Sequence, residues 1–237
     1  MLACTSAEAR YLEKIGVPQE RLRILGAGVD TLAYRQTTPG HWKARLNIGQ
    51  EEFSALFMST SLSTGKGADQ VAQASLALPE VHFIFAGGSN AEWQDLAARV
   101  RPGANCHYVG FVDGTEKHQL FKAADLFVMP SVNDAFGIVY LEAMAAGKPV
   151  ITANIDSMRE VAGDAGLSVA HGDAEALVRA IRRFQQDQGL YRRCQEAAIR
   201  RAESCSWENL SARLENIYLE LLEKRGLKRA YVAEKHV

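Results

Sequence analysis

The stretch from Leu126 to Ile151, LFVMPSVNDAFGIVYLEAMAAGKPVI, decides the fold class of this chain. Its first four residues are apolar and have the length of a buried strand, and a second short apolar run begins at Val150. Between the two runs, Gly137–Ala146 has the composition of a helix that Gly147 ends. A strand, a helix and another strand in this order form the unit from which parallel sheets are built, because parallel neighbours need a long crossover.

The same alternation extends over residues 54–151. The predicted strands are Ala55–Met58, Val81–Ala86, His107–Val109, Leu126–Met129 and Val150–Ile151. The predicted helices between them are Gly67–Leu78, Glu92–Val100, Glu116–Ala123 and Gly137–Ala146. Continuously apolar strands are typical of sheets that are buried on both faces. We therefore predict an α/β fold, a Rossmann-like parallel sheet with helices on both faces, which binds ligands where the carboxyl ends of its strands turn into helices.

Helices are also predicted on both sides of this region. Thr5 or Ser6 can cap a first helix that ends at Gly16, and a short apolar run follows at Leu22–Leu25. The pattern is weakest at Thr37–Gly40, which is the best candidate for a linker. The last third is predicted to be helical at Asp173–Phe184 and Trp207–Leu222, followed by a basic tail after Glu223.

The composition argues against several classes of protein. The chain has 27 basic and 28 acidic side chains, a formal charge of −1, which argues against a nucleic-acid partner held by phosphate electrostatics. With 47% hydrophobic residues it can bury a core of its own. No apolar run predicts a transmembrane segment, and the first residues lack the pattern of a secretory signal. The cysteines are scattered and predict reduced thiols in a cytoplasmic protein: Cys4, Cys106, Cys194 and Cys205.

The first strand-to-helix turn, STSLSTGKG at residues 59–67, favours a phosphate ligand. Its small residues let the backbone approach a ligand closely, the following helix offers unpaired N–H groups, and Lys66 adds a positive charge. The alternative is that Lys66 is one more surface lysine. The second turn contains Gly87 and Gly88 but lacks the GxGxxG spacing, which argues against a dinucleotide-dependent redox enzyme.

The third turn, after Met129, carries two acidic residues. Asp134 stands just before the predicted helix, and Glu142 lies within an otherwise apolar part of it. A carboxylate can accept two hydrogen bonds from vicinal hydroxyls, so a sugar or ribose is a suitable partner. Gly137 is a poor helix former and clears room for a ligand at the first turn. The structural alternatives are that Asp134 is only a helix cap and Glu142 only a surface residue.

The segment from Pro130 to Val150 resembles the signature of the retaining GT-B glycosyltransferases of family 4, the glycosyl transferases group 1. That signature has seven residues between its two acids, as between Asp134 and Glu142. Further matches follow in the order of the family: Val29-Asp30, Lys66-Gly67, Phe85-Ala86-Gly87, Val109 to Val112, Ala124-Asp125-Leu126, Gly172-Asp173, Trp207 and Tyr218.

The resemblance implies a role for each matching residue. Asp134 and Glu142 would be the catalytic acids, Asp134 bonding the donor sugar and Glu142 the ribose, while Lys66 would contact the diphosphate. The other residues implied in the donor site are Ser61 near the diphosphate, Gly110, Phe111 and Val112 near the base, and Phe136, Gly137 and Ile138 near the phosphate or sugar. The donor would be a UDP-, GDP- or ADP-linked sugar, used with retention and without a metal or another cofactor.

The resemblance covers the donor-binding, C-terminal half of the GT-B fold. It divides the chain into a remnant of the acceptor domain and linker at 1–36, a Rossmann-like donor domain at 37–203, and a C-terminal helix with a basic tail at 204–237. Most of the acceptor domain is then missing, and the chain alone would be incomplete as an enzyme. An acceptor-domain chain or a second copy is expected to cover exposed apolar surface. The alternative is a non-catalytic nucleotide-sugar-binding or interaction module derived from a truncated glycosyltransferase, and an epimerase or phosphorylase is a more distant one.

Overall fold

A computed structural model describes residues 1–224, and the predicted basic tail beyond Lys224 lies outside the described residues. The strands are β1 Leu2–Ala3, β2 Arg23–Ile24, β3 Ser54–Met58, β4 His82–Ala86, β5 Cys106–Gly110, β6 Leu126–Met129, β7 Val150–Ala153 and β8 Gly166–Val169. The helices are α1 Ser6–Lys14, α2 Thr31–Gln36, α3 Trp42–Arg45, α4 Ala68–Ala77, α5 Asn90–Val100, α6 Gly114–Ala123, α7 Ile138–Ala145, α8 Asp156–Ala162, α9 Ala174–Gln186, α10 Gln188–Ser204 and α11 Trp207–Lys224.

Strands β3 to β8 form one parallel sheet in the order β5-β4-β3-β6-β7-β8. All residues of β3, β6 and β7 are buried, because helices cover both faces of the sheet. The predicted fold class is therefore confirmed. The chain leaves β3 in one direction through β4 and β5, then returns to β6 on its other side, so the strand order reverses between β3 and β6. Such a reversal opens a crevice at the carboxyl ends of the two strands.

The five predicted strands of the sheet are present, but strand β8 and helices α2, α3, α8 and α10 were not predicted. Strand β8 is one of the two edge strands and only Val169 in it is buried, so its sequence GLSV has no continuous apolar run. Helix α10 is rich in charged residues and buries only a narrow row of small side chains, Cys194, Ala198 and Ala202. A stripe of small residues carries little hydrophobic signal, although it packs closely against its neighbours.

The first 25 residues form a small unit beside the main sheet. Strand β1 pairs in parallel with β2, and Ala3, Ala9 and Leu22 form a separate apolar cluster. The Glu160 carboxylate of α8 accepts hydrogen bonds from the Ser6 backbone N–H, with 2.9 Å from nitrogen to each oxygen. An acid at a helix N-terminus is favourable because it satisfies the unpaired N–H groups there. This contact ties α1 to the main body.

A histidine pair joins β4 to β5 at the beginning of the two strands. His82 Nδ1 lies 3.0 Å from His107 Nε2, and burial together with the neighbouring His82 lowers the pKa of His107 from its ordinary 6.5. The unfolded chain therefore binds a proton before the folded chain does, and acid favours unfolding. We expect the free energy of unfolding to fall as the pH drops below about 6.5. The free energy of unfolding is measured with denaturant between about pH 5 and pH 8, where histidine titrates. It should depend less on pH in His107→Gln, whereas the exposed control His41→Gln should keep the pH dependence of the wild-type protein. Equal slopes in all three proteins would contradict this assignment.

Candidate functional site

A cavity of about 370 Å³ lies at the carboxyl ends of β3 and β6, where the strand order reverses. Its walls come from the ends of β3 and β6, from the turns after β3, β4, β5 and β6, and from the N-terminal halves of α6 and α7. The residues that line it are Met58, Ser59, Thr60, Lys66, Gly87, Phe111, Val112, Asp113, Lys117, Met129, Asp134, Gly137, Ile138, Val139 and Glu142. The three residues on which the functional hypothesis depends, Lys66, Asp134 and Glu142, therefore share one hollow.

Lys66 and Asp134 form an ion pair across the crevice. Lys66 ends a single 3-10 turn after β3, and its Nζ lies 2.7 Å from Oδ1 of Asp134 in the turn after β6. Their side chains are only 18% and 17% exposed. The second oxygen, Asp134 Oδ2, is buried and has no hydrogen-bond partner among residues 1–224. A buried carboxylate oxygen without a donor is costly, and a ligand hydroxyl would satisfy it.

Glu142 has a second lysine as its partner. Lys117, in the first turn of α6, donates from Nζ to Glu142 Oε1 at 2.5 Å. Lys117 was not predicted, although α6 follows β5 and its N-terminus must lie at the carboxyl edge of the sheet. The place of Lys117 at the start of a helix that follows a sheet strand was the sequence feature that could have indicated it. The cavity thus contains two lysine–carboxylate pairs, one at each acidic residue of the signature.

Tyr34 lies beneath this second pair and was also missed. It is 1% exposed, its ring packs 4.4 Å from that of His118, and its hydroxyl has no hydrogen-bond partner within the described residues. Burial, followed by the charge of Glu142 and the closeness of its carboxylate to the hydroxyl, raises the pKa of Tyr34. Tyr34 belongs to α2, in the region predicted to be a remnant and linker, and nothing in the sequence pattern connects it with Glu142.

Gly137 stands at the N-terminus of α7 for two steric reasons. Its φ is +71°, and a Cβ there would lie 2.6 Å from Cδ2 of Tyr140. Tyr140 is fully buried and its hydroxyl donates to the carbonyl of Met129, while burial and the charge of Asp134 raise its pKa. Gly137 thereby brings the open N-terminus of α7 to the cavity wall, where unpaired N–H groups favour an anion.

Gly137→Ala is expected to lower the free energy of unfolding by about 2–3 kcal/mol, since it combines left-handed backbone strain with a clash against a ring that cannot move away. Gly172→Ala is the matched control, because Gly172 has φ +82° but open space around its Cβ position. Denaturant unfolding of the two variants separates the clash from the strain. A smaller loss for Gly137→Ala than for Gly172→Ala would show that Tyr140 does not hold this turn.

The remaining predicted site residues fall into two groups. Phe111, Val112 and Ile138 line the cavity, and Phe111 is 71% exposed, a large apolar side chain that a ligand could cover. The other group, Ser61, Gly110 and Phe136, is not among the lining residues.

Each member of the second group has a structural partner. The Ser61 hydroxyl donates to Glu92 Oε1 at 2.8 Å, and that contact contributes to the lowered pKa of Glu92, whose largest cause is the Ser89 backbone N–H. The Gly110 carbonyl accepts from the N–H of Gly87 at 2.7 Å. Phe136 is buried in the core. Their predicted roles at the donor stay predictions.

Metal ligands were not predicted. Within residues 1–224 no group of three or more His, Cys, Asp or Glu side chains is placed to hold a metal ion. That the donor reacts without a metal stays a prediction, because it concerns the reaction and not the arrangement of side chains in the protein.

A family model now identifies the chain. The model described as "Glycosyl transferases group 1" matches residues 41–201, which include every residue of the cavity wall. The chain belongs to the glycosyl transferases group 1. The two acids, the turn after β3 and the crevice are therefore parts of a group 1 glycosyltransferase domain, as the signature predicted.

Two relatives, aligned with this chain over different numbers of residues, are also glycosyltransferases by name. O-antigen chain mannosyltransferase B of Escherichia coli is 35% identical over 126 residues, 53% of this chain and 33% of that protein. An uncharacterized glycosyltransferase of Methanocaldococcus jannaschii is 26% identical over 226 residues, 88% of this chain and 56% of that protein. The group 1 chain thus spans about a third to a little over half of the length of these relatives.

Solved structures share the fold. Sucrose-phosphate synthase from Thermosynechococcus elongatus superimposes with a TM-score of 0.81 at 24% identity, covering 94% of this chain and 58% of that one. Anabaena HepE in complex with UDP-glucose gives a TM-score of 0.79 at 21% identity, covering 92% and 62%. The α/β sheet of the group 1 chain therefore matches GT-B glycosyltransferase structures. Among the helices of residues 1–224, none combines the length and apolar content of a membrane span.

Proposed function

We propose that this chain is the donor-binding half of a retaining glycosyltransferase of family 4, which transfers a glycosyl group from a nucleotide sugar to an acceptor. One observation carries the proposal. Asp134 lines the cavity with one oxygen fixed by Lys66 and the other buried without a partner in the described residues. This arrangement leaves one acceptor free for a hydroxyl next to a cation suited to a phosphate.

The proposed donor runs along the cavity from base to sugar. The base lies against the exposed Phe111, and the ribose hydroxyls donate to Glu142, because a carboxylate can accept both. The diphosphate lies between Lys66 and the N-terminus of α7, and the transferred sugar donates to Asp134 Oδ2. UDP-, GDP- and ADP-linked sugars all carry the ribose and diphosphate that these contacts require.

The chemistry of this chain would be electrostatic. As the bond between the sugar and the diphosphate breaks, negative charge develops on the departing phosphate oxygen. Lys66 and the helix N-terminus at Gly137 both line the cavity, and they would stabilise that charge with little reorganisation. The acceptor would attack from the face that the diphosphate leaves, which gives retention. No step of this proposal uses a metal.

An acceptor domain, in the same protein or a separate chain, or a second copy is proposed as the partner. A groove of about 670 Å³ between the first residues and α11 is lined by apolar side chains such as Leu2, Tyr218 and Leu221. These three are 45%, 55% and 41% exposed, an arrangement typical of a surface that another domain covers.

The four free thiols suit the reducing cytoplasm, which is the proposed location.

Calorimetric titration tests the donor proposal. The protein is titrated with UDP, GDP and ADP, and at least one should bind with a Kd on the order of micromolar to millimolar, as for typical substrates. Fusing or adding an acceptor domain should then produce transfer of the sugar. The absence of binding by all three nucleotides to folded protein would contradict the proposal.

A non-catalytic module that binds nucleotide sugars is the second candidate. The observation that favours it is Ser61, whose hydroxyl is held by Glu92 and which is not among the residues that line the cavity. Nucleotide binding without transfer in the presence of the acceptor domain would support this candidate over the enzyme.

A further inference from the structure

Lys117 is the most specific feature of the cavity that the signature does not explain. Its ammonium lies 2.5 Å from Glu142 Oε1, and the exposed fractions of the two side chains are 26% and 17%. Two different helices, α6 and α7, hold the partners, so the contact is a tertiary one and not a neighbour pair on one helix. An ion pair so little exposed fixes the orientation of the carboxylate.

Tyr34 offers a second donor to the same carboxylate from below. Its ring packs against His118 at 4.4 Å and Phe121 at 5.9 Å between ring centroids. The hydroxyl is buried close enough to Glu142 for that carboxylate to raise its pKa, but it makes no hydrogen bond of ordinary geometry with a described residue. A buried hydroxyl without an acceptor destabilises the protein that contains it. A small movement of the Glu142 carboxylate toward Tyr34 would satisfy it.

The geometry points to Lys117 and Tyr34 as the two positioning residues of Glu142: Lys117 orients the carboxylate for a vicinal diol, and Tyr34 donates to it once the diol is bound. Lys117 occupies one of the about four lone-pair directions of the carboxylate and leaves others for the ligand. When the diol hydroxyls donate to the side of the Glu142 carboxylate that faces the cavity, the carboxylate divides its charge between them and Lys117. Glu142 can then accept a hydrogen bond from Tyr34 as well. This inference rests on the proposed function, since the diol is that of the donor nucleotide.

A double-mutant cycle on nucleotide binding tests it. The probe is whichever of UDP, GDP and ADP binds the wild-type protein best, and Kd is measured by calorimetry. Lys117→Met and Tyr34→Phe should each weaken binding by about 5- to 20-fold, the range for hydrogen bonds to a charged group. In the Glu142→Gln background, each of these two substitutions should change Kd by less than about 2-fold, because the carboxylate that Lys117 and Tyr34 position is no longer present. Lys122→Met, on the same helix but outside the cavity wall, is the control for lost charge.

Tyr34→Phe has a second readout that an ordinary structural role would not give. Removing an unpartnered hydroxyl should leave the thermal stability of the free protein unchanged or raise it, while the affinity falls. If Lys117→Met weakens binding equally with and without Glu142, Lys117 is a general attraction for phosphate and the inference is wrong. Wild-type affinity in both single variants would also overturn it. Failure of the wild-type protein to bind any nucleotide would instead contradict the proposed function itself.

Discussion

Glu142→Gln is expected to weaken the binding of a nucleoside diphosphate by about 10- to 100-fold. The amide has the shape of the carboxylate, but it accepts through one oxygen and carries no charge, so two charge-assisted hydrogen bonds from a diol become weaker ones. The substitution also leaves the Lys117 ammonium without its partner at the cavity wall. Titration calorimetry of the two proteins with the same nucleotide measures the change directly.

Glu196→Gln is the matched control for this experiment. Glu196 is 70% exposed on α10 and lies 3.9 Å from Arg200, so losing its charge should leave the Kd unchanged. A 2′,3′-dideoxynucleotide gives an independent check, because it lacks the hydroxyls that Glu142 would bind. Its affinity for wild-type protein should resemble that of the normal nucleotide for Glu142→Gln. Equal affinities of the wild-type protein for both nucleotides would show that Glu142 does not recognise a diol.

Lys66→Met is expected to have two large effects. Binding of the diphosphate should weaken by about 100-fold, since a charge-assisted contact to phosphate is lost. The free energy of unfolding should also fall by about 2–3 kcal/mol, because Asp134 would keep a largely buried charge with neither oxygen paired within the described residues. Calorimetric titration and denaturant unfolding measure the two effects separately.

The double variant Lys66→Met with Asp134→Asn separates binding from stability. Removing the uncompensated carboxylate should restore much of the stability, whereas the affinity for the diphosphate should stay low. Lys14→Met, an exposed lysine at the end of α1, serves as the charge control for both measurements. Recovery of binding in the double variant would mean that Lys66 only neutralises Asp134 and does not contact the phosphate.

The central strands of the sheet could be predicted because they are buried on both faces. Ser54–Met58 and Leu126–Met129 have no exposed residue, so burial alone dictates their apolar runs. Strand β8 could not be found in the same way, because an edge strand needs only one buried side chain, here Val169. The pairing of β1 with β2 was missed for another reason: two-residue strands carry too little pattern to show a partner.

The site was predictable to the extent that it follows from topology and the signature. Asp134, Glu142 and Lys66 were found because each lies in or just after a strand-to-helix turn, and such turns meet at one edge of a parallel sheet. The lysine partner of each acid could not be assigned from sequence spacing, because the contacts Lys66–Asp134 and Lys117–Glu142 join residues far apart in the chain. Tyr34 reaches Glu142 only through the packing of α2 against α6 and α7, which sequence periodicity does not encode.

The most direct test of a donor site at the reversal of strand order is amide chemical-shift mapping during a nucleotide titration. We expect the largest shifts in three separate segments that meet only in the folded cavity: residues 59–67, residues 110–117 and residues 134–142. Asp134→Asn should reduce the effect of the nucleotide sugar more than that of the nucleotide, because Asp134 is assigned to the sugar. Shifts that leave these three segments unperturbed and cluster at the opposite edge of the sheet would contradict the account.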